Sequence, residues 1–124
     1  MIDHVSIAVR DLAGCAAFYD ALLATLGHRR LVTRPGTVGF GKKYPELWLN
    51  ERRVSSAIDA DSGSHVALRA RDVAAVQAFH EAALAAGGRS DGAPGLRPEY
   101  SSGYYAAFIC DPEGNRIEAV TFVS

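Results

Sequence analysis

His4 and His65 open two similar stretches, HVSIAVRD at residues 4–11 and HVALRARD at residues 65–72. In each, polar and apolar residues alternate, as in a half-buried β-strand. Strand side chains point to alternate faces. Val5, Ile7 and Val9 therefore form one apolar row, and His4, Ser6 and Ala8 share the other. In the second stretch Val66 and Leu68 pack, while His65, Ala67 and Arg69 point the other way. Two further runs read alike: Leu47 and Leu49 against Glu46, Trp48 and Asn50, then Ile117 and Ala119 against Arg116, Glu118 and Val120. If the mixed rows line one concave surface, two imidazoles and one or two carboxylates converge. Such donors suit Zn, Ni, Mn, Co or Fe(II). Two histidines and one carboxylate with open positions could present metal-bound water or oxygen to a substrate.

The elements that must position these residues occur twice. Each histidine-led strand is followed by an alanine-rich amphipathic pattern. The first helix is expected from Leu12 to Leu26, with Asp11 as N-cap, an apolar stripe of Leu12, Cys15, Tyr19, Leu22, Leu23 and Leu26, and Gly27 as its stop. The second is expected from Val73 to Ala86, with Asp72 as cap, a stripe of Val73, Val76, Phe79, Ala83 and Leu84, and Gly87-Gly88 at its end. Strands are expected near 2–9, 29–34, 37–41 and 46–50, then 65–70, 88–91, 104–110 and 116–122. Asp111-Pro112-Glu113-Gly114-Asn115 reads as a turn between the last two. The chain is thus one domain built from repeats at 1–50 and 65–124, joined by a linker at 51–64. Neither repeat is long enough to close a core alone. Residues 91–103 are expected to form a long loop that could cover a cavity.

At 124 residues, 48% hydrophobic and 22% charged, the composition is that of a soluble globular domain. Thirteen basic against fourteen acidic residues give a net charge of -1, without the electrostatic drive that nucleic-acid binding needs. No apolar run suits a membrane helix, and Met1-Ile2-Asp3-His4 does not open a signal peptide, so the cytoplasm is the expected location. Cys15 and Cys110 form no CxxC or Cys-His cluster and are expected as buried thiols. Gly39-Phe40-Gly41-Lys42-Lys43 lacks the spacing of a phosphate-binding loop.

The chain resembles the vicinal oxygen chelate superfamily, which includes glyoxalase I, bleomycin- and fosfomycin-resistance proteins, methylmalonyl-CoA epimerase and extradiol dioxygenases. The resemblance rests on Asp3-His4-Val5 with Arg10-Asp11-Leu12, Phe18-Tyr19, Gly63-Ser64-His65-Val66-Ala67, and above all the run from Asp111 to Glu118. It implies an α+β fold: paired βαβββ modules whose eight strands curl into an open, U-shaped mixed sheet with the helices outside. It also implies metal ligands from the first, fourth, fifth and eighth strands. Here these are His4, His65, Glu118 and a fourth-strand residue. Glu46 has the right type and parity for that place, but an alternative alignment sets Trp48 there, as a pocket wall with three ligands left. His28 and His80 match no family role. A homodimer is implied, with modules pairing within or across chains.

Three chemistries follow from the resemblance. A glyoxalase-like enzyme would use its metal to bind two oxygens of a small substrate, with Glu118 or Glu46 moving a proton and Arg10 or Arg69 binding an acidic group, in lyase, isomerase or epimerase chemistry. A binding protein of the bleomycin-resistance type would need no metal and would use aromatic walls from Trp48, Phe40, Tyr44, Tyr100, Tyr104 and Tyr105. An Fe(II) dioxygenase fits three ligands, but the chain lacks the extra module of the larger members.

Overall fold

The computed structural model describes residues 1–53, 58–59 and 61–124. Ten elements follow in chain order: β1 (Val5–Val9), α1 (Leu12–Ala24), β2 (Arg29–Arg34), β3 (Thr37–Gly41), β4 (Pro45–Glu51), β5 (Val66–Arg69), α2 (Val73–Ala85), β6 (Arg89–Leu96), β7 (Tyr104–Cys110) and β8 (Arg116–Phe122). The strands form two four-stranded sheets, β1-β4-β3-β2 and β5-β8-β7-β6. In each, the first strand pairs in parallel with the last strand of its module, and the other pairings are antiparallel. The two βαβββ modules expected from the sequence are present. Their eight strands divide into two sheets, with no ladder joining them among the described residues.

The helices begin and end where their chemistry says they should. The Asp11 carboxylate accepts from the Gly14 N–H at 3.0 Å, and Asp72 accepts from the Ala75 N–H at 2.9 Å. Each side chain satisfies a donor that the first turn leaves free. At the other ends, Gly27 and Gly87 take φ of 80° and 102°. This left-handed turn lets the His28 N–H reach the Leu23 carbonyl at 3.0 Å and the Gly88 N–H reach the Ala83 carbonyl at 2.8 Å.

Both helices bury their stripes in one core. Tyr19, Leu22, Leu23, Leu49, Val76, Phe79, Ile109 and Ile117 are all essentially inaccessible. Three details depart from the sequence reading. Strand β1 starts at Val5, so His4 precedes it. Leu84 is exposed rather than part of the α2 stripe. Residues 91–96 continue β6, because register shifts between Ser90 and Gly92 and between Gly92 and Gly95 absorb a Gly/Pro-containing stretch that otherwise reads as loop. Part of the expected linker, residues 54–57 and 60, lies outside the described residues.

The turn from Asp111 to Asn115 joins the two modules. The Glu113 carboxylate accepts from the backbone N–H groups of Arg10 and Asp11, both at 2.6 Å. The Asn115 side-chain amide donates to the Ala8 carbonyl at 3.1 Å, and the Tyr19 hydroxyl donates to Asp111 at 2.8 Å. Asp111 is buried and also accepts from the Glu113 and Asn115 N–H groups and from the Asn115 amide. These bonds satisfy a carboxylate that would otherwise be costly to bury.

Candidate functional site

The face of the second sheet turned away from the helices carries a polar cluster. Glu118, in the middle of β8, lies between Ala67 of β5 and Phe108 of β7. Its side chain is only 2% exposed. A carboxylate removed from water this completely needs partners. It has two: His65 Nε2 stands 3.1 Å from Oε1, and the Tyr104 hydroxyl donates to Oε2. His65 is half exposed, so this pair links a buried acid to an accessible imidazole. Tyr104 packs edge-on against Phe122 and Tyr100, with ring centroids 5.4 Å and 5.2 Å apart. Its phenol is pushed up to about 12, first by burial and then by the Glu118 hydrogen bond and charge. Tyr104 is therefore a neutral donor at ordinary pH.

His65 also borders two cavities. One, of about 550 Å³, opens between β1 and β5 and is lined by Ser6, Ala8, Asn115 and Arg116 among others. The second, of about 370 Å³, runs past Phe108 toward Arg97 and Tyr100. Both volumes fall within the range of small-molecule sites. Arg97 lies 5.3 Å over the Phe108 ring and donates to the carbonyls of Ala93 and Gly95. It was not among the residues singled out by sequence, since it follows the Gly/Pro stretch that reads as loop.

The equivalent place in the first module is different. Ser6 stands opposite Trp48 in the β1–β4 ladder, and Ala67, the repeat counterpart of Ser6, stands opposite Glu118. Trp48 is thus the counterpart of Glu118. It packs over Gly39, where an added Cβ would come within 2.8 Å of the indole, and the Arg34 guanidinium covers it at 5.9 Å. Extending the same register outward makes Glu46 the counterpart of Arg116. Glu46 is exposed and lies in a separate cavity with His28, Lys42, Arg69 and Arg71.

The remaining candidates fall in several places. His4 is half exposed and its Nδ1 stands 2.7 Å from Asp3. Among the described residues, no three of His, Cys, Asp or Glu gather so as to hold a metal ion. His4, Glu46 and the His65–Glu118 pair therefore do not converge within one chain. Arg10 sits at the N-terminus of α1, 3.6 Å from Glu113, in the joint between modules. Arg69 lies 4.9 Å over Phe122. Phe40 is a core residue, 1% exposed and 6.2 Å from the Tyr19 ring, and it borders the cavity of Glu46 rather than the two beside His65. Tyr104 does belong to the cluster.

A model of the Glyoxalase/Bleomycin resistance protein/Dioxygenase superfamily matches residues 1–119. The chain is similar to the crystal structure of a glyoxalase/bleomycin resistance protein from Albidiferax ferrireducens T118, with 30% identity, a TM-score of 0.86, and 97% of this chain and 98% of that one covered. It is similar to a lactoylglutathione lyase from Agrobacterium tumefaciens at 25% identity and a TM-score of 0.65, covering 97% of this chain and 92% of that one. A glyoxalase/bleomycin resistance protein/dioxygenase family enzyme from Burkholderia phytofirmans PsJN shares the fold at 21% identity and a TM-score of 0.74, with 98% of each chain covered. No curated protein matches the chain. The family match over nearly the whole length and the duplicated βαβββ architecture agree: the chain belongs to the glyoxalase/bleomycin resistance protein/dioxygenase superfamily.

Proposed function

We propose that the chain is a metal-dependent, glyoxalase-like enzyme acting on a small oxygen-bearing substrate, with lyase, isomerase or epimerase chemistry. The observation that carries this reading is the buried Glu118 carboxylate held between Tyr104 and His65, whose imidazole borders two cavities. The adjacent imidazole and carboxylate are the borderline donors that divalent Zn, Ni, Mn or Fe prefer. They fit a metal as two of three ligands. His65 and Glu118 would hold the ion, with His4 of a second copy completing two histidines and one carboxylate. This requires a homodimer. When bound, such an ion would polarise a pair of substrate oxygens and acidify the neighbouring C–H.

The chain's own residues have clear tasks in this scheme. Tyr104 fixes Oε2 of Glu118 and leaves Oε1 facing His65. With Oε2 held by Tyr104 and Oε1 given to the ion, Glu118 would have to release one oxygen before it could take a proton from the substrate and return it to a neighbouring carbon. Trp48 walls the corresponding place in the other module, and Arg34 covers it.

The test is metal analysis of the purified protein, followed by an assay panel of α-hydroxycarbonyl and hemithioacetal substrates. The expected result is near-stoichiometric divalent metal, lost in His65→Ala with unchanged circular dichroism, and turnover dependent on that metal. The second reading, a metal-independent binding protein, is favoured by Trp48 in the register place of Glu118. A metal-free protein of intact fold that binds an aromatic ligand with quenching of Trp48 would establish it instead.

A further inference from the structure

The cavity that holds Glu46 is separate from the Glu118 cluster and has its own charge pattern. It measures about 470 Å³ and lies where the β3–β4 connection approaches β5. Lys42, Arg69 and Arg71 border it, with Glu46 as the one carboxylate and His28 alongside. Three full cations against one anion is a local excess in a chain whose net charge is -1.

Little within the described residues neutralises that excess. Lys42 makes no ion pair there; its chain lies along Gly27, whose added Cβ would meet Cε at 3.5 Å and Nζ at 4.0 Å. That places the ammonium beyond the C-terminal end of α1, where the helix dipole favours a cation. Arg69 rests on the Phe122 ring, a contact that uses the guanidinium face and leaves its N–H edge available. Arg71 stands 3.7 Å from Asp72, but both are exposed, and such pairs contribute little. His28 is held below its ordinary value by burial and by Lys42, against the opposing pull of Glu46. It therefore adds neutral hydrogen-bonding capacity. Leu47 and Leu68 supply an apolar floor.

We propose that this cavity binds a small organic oxyanion, a carboxylate or a phosphate monoester carried on an apolar body. Guanidinium and ammonium donors meet the oxyanion, and the apolar floor takes the body. The site does not depend on the metal reading, because it shares no residue with His65, Glu118 or Tyr104.

The experiment is an amide-resolved NMR titration of the full chain with benzoate, phenyl phosphate and uncharged benzyl alcohol. The two anions are expected to give saturable shifts centred on Gly27, Lys42 and Arg69, and benzyl alcohol none there. Benzoate and phenyl phosphate separate the carboxylate from the phosphate source by their relative affinity. The Lys42→Gln/Arg69→Gln double variant, changed only at exposed positions, is expected to bind at least about tenfold more weakly. Glu46→Gln removes the opposing charge and is expected to bind about threefold more tightly. Equal binding of benzyl alcohol, anion shifts centred elsewhere, or unchanged affinity in the double variant would overturn the proposal. Weaker binding in Glu46→Gln would also count against it, since that outcome makes Glu46 a ligand-holding group.

Discussion

In the first module the central side chain of β4 is Trp48, paired across the ladder with Gly39; in the second, the same place on β8 holds Glu118, paired with Phe108. The backbone repeats and the side chains are exchanged in size: a large indole over a glycine on one side, a small acid beside a phenyl ring on the other. The histidines differ in the same way. His65 reaches Glu118, while His4 turns to its neighbour Asp3. The repeated scaffold carries an imidazole–carboxylate pair in one copy only. The other copy presents a wall.

The joint between the copies is the place where the comparison breaks most easily. Asp111 accepts four hydrogen bonds while buried, one of them from Tyr19 of the opposite module. Asp111→Ala is expected to cost about 3–5 kcal/mol, read as a fall in Tm of about 10–20 °C. Next comes the chemistry. Glu118→Gln is expected to lower kcat/KM by about a hundredfold or more, whereas Trp48→Phe at the counterpart position should act mainly on KM. A similar loss in both variants would remove the asymmetry. Tyr104→Phe keeps the ring and deletes one donor to Glu118; metal affinity is expected to fall about tenfold, with little change in fold. Equilibrium titration with Co(II) would measure it.

The pH dependence of stability gives a smaller effect. Burial alone would raise the Glu113 carboxyl, but the N–H groups of Asp11 and Arg10, the Cys15 thiol and the Arg10 charge outweigh it and lower the net value. A group lowered on folding stabilises the protein above its ordinary value of 4.5, and that contribution is lost as pH falls through the lower folded value. Glu113→Gln should therefore flatten the acid limb of the Tm–pH curve and lower Tm by a nearly constant amount above about pH 5. The smallest effect is at Cys15. Burial, then the charges of Asp111 and Glu113 and the hydrogen bond to Glu113, raise its thiol far above the ordinary range. A disulfide reagent at pH 8 should label it only as the chain unfolds.

Much of this arrangement is legible in the residues themselves. Caps at Asp11 and Asp72, glycine stops at Gly27 and Gly87 and the period-2 rows all appear as expected, because each is set by local chemistry. Parity alone places His65 and Glu118 on one face. It cannot choose between Glu46 and Trp48, which share that face. The choice depends on the β1–β4 register, which is beyond the reach of parity. Phe40 shows the opposite case: it alternates with Gly39 and Gly41 in step with Val38, and that row is the core one. Arg10 reads as a strand-end cation, and its place beside Glu113 follows from a contact across more than a hundred residues. The Asp111–Asn115 turn carries the strongest family signature, yet what it does here is join the modules.

We propose that the second module's His65–Glu118 pair, and not Glu46, holds the divalent metal. Co(II) titration of the wild type, His65→Ala and Glu46→Gln tests this directly. The wild type is expected to bind about one ion per chain, His65→Ala to lose binding, and Glu46→Gln to show no weakening. Binding that survives His65→Ala but is lost in Glu46→Gln, or a wild type that takes up no metal, would contradict it.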